Sequence, residues 1–279
     1  MEEITFNVKG LKIAAKTWGD PQKKPVLALH GWLDNAASFD FLAPLLTEKY
    51  YIVALDLPGH GHSAHLPAHG VYHFIDGVVH VQQLVEHLQW KKYSLLGHSM
   101  GSGIASLLAG VTPDAIENGW FIEVLGALSR PENAVVSHLQ NYFENIKHLK
   151  SPHFYPTFED AVQARMKAGH VNYDTAAALA SRSVTNVDGQ FHWRHDARLV
   201  LPSPMYLTEG QVLAFLEKIT APCCYFVAEH GFPFPPEVIA QRCAAIPHLK
   251  KFTIPGGHHC HMEHPQAIAD VLLKASITA

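Results

Sequence analysis

Residues 97–101 read Gly97-His98-Ser99-Met100-Gly101, a serine flanked by glycines two positions to either side. An apolar run precedes the motif, and a segment rich in small residues, 104–109, follows it before Pro113. That placement suits nucleophilic chemistry. A serine on a sharp strand-to-helix turn is held in a strained conformation with its hydroxyl exposed. The helix behind it supplies N–H groups and partial positive charge where an oxyanion would form. Taken alone, Gly-x-Ser-x-Gly also describes an ordinary turn; the strand before it and the helix after it favour the nucleophile.

An oxyanion hole needs two converging N–H donors, one from the residue after the nucleophile and one from an earlier strand-end loop. Met100 fits the first place, and Trp32 of His30-Gly31-Trp32, directly after the apolar run 26–29, fits the second. Without the serine, that triplet reads as a plain turn with a packed Trp. The Gly-rich loop 56–63 carries no P-loop lysine and reads as a structural turn. Near the C-terminus, Pro255-Gly256-Gly257-His258-His259-Cys260-His261-Met262-Glu263-His264 follows the last apolar run and offers an imidazole to the serine. The cluster also raises a metal site. Adjacent ligands on one short loop do not readily converge on a tetrahedral ion, and no spaced Cys or His pair elsewhere matches a structural zinc pattern, so no metal is expected. Serine chemistry of this kind calls for no cofactor either.

Positioning these groups requires a sheet. Apolar runs at 26–29, 51–55, 93–96, 120–125, 224–228 and 251–254 read as strands, and they alternate with segments of helical period. Val78, Val81, Leu84, Val85 and Leu88 recur at helical spacing behind Asp76, a good N-cap. The pattern implies an α/β fold with a mostly parallel, doubly wound sheet. Residues 130–207 break the alternation with helical patterns at 135–149, 157–166 and 175–181, then an irregular passage at 191–198. They read as a helical lid inserted into a core formed by 1–129 and 208–279, where the spacing of Thr208 and Gln211 predicts a capping box.

The chain's 279 residues, 48% hydrophobic and 16% charged, suit one large core with an inserted subdomain. A formal net charge of -4 and the lack of a Lys/Arg run exclude nucleic acid as an expected partner. With 21 histidines, the charge shifts strongly between about pH 5 and 7. No signal-peptide pattern opens the chain, and no apolar run reaches the roughly 18 residues that span a bilayer. No membrane association is expected, and the cytoplasm is the expected location. Cys223, Cys224, Cys243 and Cys260 lack a framework spacing, which suits reduced thiols.

Together, 97–101, His30-Gly31-Trp32, 56–63 and Gly257-His258 through Met262-Glu263 resemble the α/β-hydrolase superfamily. More narrowly, His30-Gly31-Trp32-Leu33-Asp34-Asn35 with Phe191-His192-Trp193-Arg194-His195-Asp196 and Pro202-Ser203-Pro204 resembles the serine hydrolase-like group. The resemblance implies the α/β-hydrolase fold and places the histidine of a catalytic triad at His258, with His259 as its competitor. In most of the superfamily an Asp after the penultimate strand supplies the acid; the corresponding position here is Gly231. Some members draw the acid from the end of the strand before the lid, which implies Glu123, a lone carboxylate in an apolar run. Glu229 is the alternative acid, and a Glu123 that merely binds a loop backbone is the plainer reading. The expected function is hydrolysis of a small, largely apolar carboxylic ester through an acyl-enzyme on Ser99, with a small-molecule substrate as the expected partner. A catalytically weak binding protein on the same scaffold, or a perhydrolase or C–C bond hydrolase using the same triad, are the alternatives.

Overall fold

The computed structural model describes residues 1–275. Its strands are β1 (Glu2–Val8), β2 (Leu11–Trp18), β3 (Lys24–Leu29), β4 (Tyr50–Leu55), β5 (Tyr93–His98), β6 (Ile116–Ile122), β7 (Val184–Val187), β8 (Gln190–Trp193), β9 (Cys223–His230) and β10 (Leu249–Gly257). The helices are α1 (Ala43–Leu46), α2 (Phe74–Leu88), α3 (Met100–Val111), α4 (Val135–Ile146), α5 (Phe158–Gly169), α6 (Tyr173–Ser183), α7 (Glu209–Leu216), α8 (Pro236–Ala244), α9 (Cys260–Glu263) and α10 (Pro265–Ala275).

Eight strands form one sheet in the order β1-β2-β4-β3-β5-β6-β9-β10. Only β2 runs against its neighbours; the other pairs are parallel. The central strands are apolar runs because both faces are covered. In β3, Leu27 and Leu29 face a core shared with α2, α3 and α7, while Val26 and Ala28 face a second core with α1 and α10. The chain passes outward from β3 to β4 and then crosses back to place β5 on the other side of β3. Loops leaving β3 and β5 therefore diverge, and a crevice opens at their C-terminal ends.

Several local expectations shift. The N-terminal hairpin β1–β2 carries no strong apolar run, because β1 is an edge strand that turns only Ile4, Phe6 and Val8 inward. The cap of α2 is His73, whose Nδ1 accepts from the Ile75 N–H at 3.2 Å, and Asp76 lies inside the first turn. The run 120–125 leaves the sheet after Ile122, and Glu123 lies beyond the strand with φ 70°.

Residues 130–207 add no strand to the main sheet. Thr157 and Asp160 cap α5 reciprocally, and Val162, Val171, Ala176 and Ala180 form a small separate core. The passage expected to be irregular contains β8, paired antiparallel with β7 in a half-exposed hairpin. The Thr208–Gln211 capping box opens α7. Among the described residues, no helix is long and apolar enough to cross a membrane.

Candidate active site

Ser99 sits between β5 and α3 at φ 52°, ψ -118°, outside the regions L-residues favour. Such a conformation costs about 1–3 kcal/mol and persists only when its surroundings enforce it. They do so by crowding. A Cβ on Gly97 would lie 2.4 Å from Ser102 Cα, and one on Gly101 would lie 2.1 Å from the Leu29 carbonyl oxygen. Leu33 and Glu123 also have positive φ, so each of the three loops meeting here carries one non-glycine residue in that region.

His258 leaves the end of β10 with its Nε2 2.9 Å from Ser99 Oγ and its Nδ1 2.8 Å from Glu123 Oε2. Glu123 is buried and also accepts from the Ala228 N–H at 2.6 Å and the Phe232 N–H at 2.8 Å. A carboxylate accepting from these amides accepts from Nδ1 as well. That tautomer leaves the Nε2 lone pair facing the serine hydroxyl. Glu123 thus binds loop backbone and His258 together, where the sequence posed these as alternatives.

Gly231 explains the vacant acid position. A Cβ there would lie 2.3 Å from both Glu123 carboxylate oxygens. The carboxylate fills the space a side chain at 231 would need. Glu229, the other candidate, is exposed near the end of β9.

The neighbouring histidines point elsewhere. The His259 Nε2 lies 3.1 Å from Asp34 Oδ2, and His261 meets Ser38 Oγ at 2.7 Å, both rings buried. Met100 opens α3, where the first N–H groups have no intrahelical partner. Trp32 is 52% exposed and donates its indole N–H to the Leu199 carbonyl at 2.7 Å.

Asp34, His98 and His259 bring ligand-type atoms within 4.8 Å of one another, a spacing a metal could use. Here Asp34 also meets the Arg165 guanidinium from α5. Burial alone would raise the Asp34 pKa, but His259 and Arg165 overturn that and hold it well below the usual value. Burial pushes His98 down to about 4, so its ring is neutral near pH 7. This array went unseen in the sequence because Arg165 lies 131 residues from Asp34 and no local pattern marks it.

A cavity of about 470 Å³ opens on Ser99. Leu57, Ile104, Tyr142, Leu199, Leu207 and Phe232 give it a largely apolar wall drawn from both the main sheet's loops and the 130–207 segment.

Residues 24–265 match the family described as alpha/beta hydrolase fold. A serine hydrolase-like protein of Dictyostelium discoideum is 34% identical over 98% of this chain and 81% of its own length. The crystal structure of a hypothetical protein from Pseudomonas aeruginosa PAO1 superposes with a TM-score of 0.94 at 38% identity, covering 99% of this chain and 100% of that one. A thioesterase domain from the curacin biosynthetic pathway superposes at 0.88 with 26% identity, covering 98% and 99%. With its serine at the strand–helix turn and these relatives, the chain belongs to the α/β-hydrolase fold family, among the serine hydrolase-like proteins.

Proposed function

We propose that the chain hydrolyses carboxylic esters through an acyl-enzyme on Ser99. The reading is carried by one observation, the hydrogen-bonded line from Glu123 through His258 to Ser99 at the mouth of an apolar cavity. Ser99 Oγ attacks the acyl carbonyl carbon while His258 Nε2 takes its proton. The tetrahedral oxyanion accepts from the backbone N–H groups of Met100 and Trp32. His258 then protonates the leaving alkoxide and the C–O bond breaks. Water, deprotonated by the same nitrogen, attacks the acyl-enzyme and releases the acid and Ser99. Glu123 keeps His258 in the productive tautomer and stabilises its imidazolium.

The apolar wall favours an apolar acyl group, and residues 130–207 act as the lid that completes the wall. A neighbour named as a thioesterase brings thioesters into the substrate panel, since the same attack serves them. Free thiols at Cys223, Cys224, Cys243 and Cys260 favour a reducing compartment, and the cytoplasm is the proposed location.

The test is covalent labelling with a fluorophosphonate, followed by hydrolysis of a p-nitrophenyl ester series. Wild type is expected to label and to turn over esters, and Ser99→Ala to do neither. An unlabelled, inert wild type would replace this reading with a binding role on a hydrolase scaffold.

A further inference from the structure

The loop after β3 is tied to residues 130–207 at three nearly consecutive positions. Trp32 donates to the Leu199 carbonyl, Asp34 meets Arg165 of α5, and Asn35 Nδ2 donates to the Leu179 carbonyl at 2.8 Å and to Ser183 Oγ at 2.7 Å. Trp32 and Asn35 make their ties as donors. Asp34 differs because it is a buried carboxylate, 2% exposed at the side chain, facing an Arg165 side chain that is 16% exposed.

From Asp34 the contacts run to both sides of the reaction centre. A Cβ on Gly31 would lie 2.8 Å from Asp34 Oδ2 and 2.9 Å from His98 Nδ1, so the backbone just before Trp32 rests directly on this pair. On the other side, His259 Nε2 donates to Asp34, and His98 Nε2 lies 2.9 Å from the main-chain oxygen of His258. A carbonyl oxygen only accepts, so His98 carries its hydrogen on Nε2. Its ring is neutral, which leaves the Nδ1 lone pair toward Asp34 Oδ2 at 3.5 Å. Nδ1 has no hydrogen-bond partner of its own. The Asp34 charge is offset chiefly by His259 and Arg165, with His98 a smaller contributor.

We propose that Arg165 is a positioning residue for ester hydrolysis: by neutralising Asp34 it fixes the Trp32 loop and, through His98 and His259, the backbone that carries His258. The inference rests on the proposed roles of Ser99, His258 and Trp32. It makes α5 a structural part of the reaction centre, so that this portion of the lid stays docked during turnover. Without the guanidinium, Asp34 is left buried with too few donors, and the loops resting on it shift to rehydrate it. A misplacement of about 1 Å at a reaction centre lowers the rate by up to about 100-fold.

The test compares Arg165→Met, Asp34→Asn and the double variant by steady-state kinetics on a short-chain p-nitrophenyl ester, with folding checked by circular dichroism. Arg165→Met is expected to lower kcat by about 10- to 100-fold while KM changes by less than about twofold. The double variant is expected to be no worse than Asp34→Asn, because both changes break one array. Arg165→Ala is expected to regain activity when guanidinium is added. An arginine that served only the fold would lower the unfolding midpoint without the split between kcat and KM. Additive losses, an effect confined to KM or an unchanged kcat would overturn the role, as would Zn²⁺ retained stoichiometrically by wild type and lost in His259→Gln. Fluorophosphonate labelling of wild type separates the two failures: a labelled wild type with any of these results sinks the positioning role alone, and an unlabelled wild type sinks both.

Discussion

His258 and His259 are adjacent in the chain, and each meets a buried carboxylate brought from a different strand end, yet their surroundings differ. His258 joins Glu123 to Ser99, and its side chain is 27% exposed beside the cavity. His259 joins Asp34 beside Arg165 and is 6% exposed at the side chain. The first pair has a hydroxyl to act on and access to a ligand; the second has a guanidinium and no opening. Under the proposed mechanism, the roles of the two rings differ through what lies beyond the imidazole as much as through the carboxylate behind it.

The largest expected effect follows from exchanging each ring for an amide. His258→Gln is expected to lower kcat/KM for a p-nitrophenyl ester by about 10⁴-fold or more, and His259→Gln by no more than about tenfold. Equal losses would erase the distinction between the pairs. Next comes the carboxylate. Glu123→Gln is expected to cost about 10²- to 10⁴-fold with folding retained, while Glu229→Gln leaves the rate unchanged. Gly231→Asp alone is expected to lower activity, since its Cβ would enter the Glu123 carboxylate. In a Glu123→Gly background the same change is expected to recover at least about tenfold of the lost rate. Failure to recover any would show that His258 needs its acid from the Glu123 side specifically.

The smallest effect is on stability and concerns the dry pair and the rings around it. Burial holds His98 at about 4 and His60 at about 3, and lowers His30 and His261 as well. In the unfolded chain such rings titrate near 6.5, so between about pH 6.5 and 4 the unfolded state binds protons that the folded state refuses. Stability present above about pH 6.5 is therefore lost as the pH falls through that window. Asp34, whose folded pKa is depressed, adds stability that is present above its unfolded value and disappears only at still lower pH. Urea unfolding midpoints should fall between about pH 7.5 and 5; constant midpoints would contradict the neutral, buried state of these rings.

What the sequence carries plainly is what local spacing encodes. Ser99 and its elbow occupy five residues, and the alternation around them sets the doubly wound sheet. Glu123 was reachable through the resemblance and as a buried charge in want of a partner, but its pairing was hidden because its strand ends three residues before its apolar run does and His258 lies 135 residues away. The choice between His258 and His259 could not be read from composition, since a single turn of backbone sends the two rings in different directions. The edge strand β1 and the hairpin β7–β8 were hidden because half-exposed strands need no continuous apolar run. Arg165 gave no signal at all. Its pairing exists only once α5 is docked against the loop after β3.

The overlap between Glu123 and position 231 bears on how such a centre can change over generations. A side chain at 231 and the Glu123 carboxylate claim the same space, so the two positions cannot be furnished together without one side chain evicting the other. A lineage moving from one arrangement to the other by single codon changes must cross either an overcrowded intermediate or one with no acid at all. On the proposed triad both intermediates are expected to be impaired, so moving the acid calls for two coordinated substitutions rather than one.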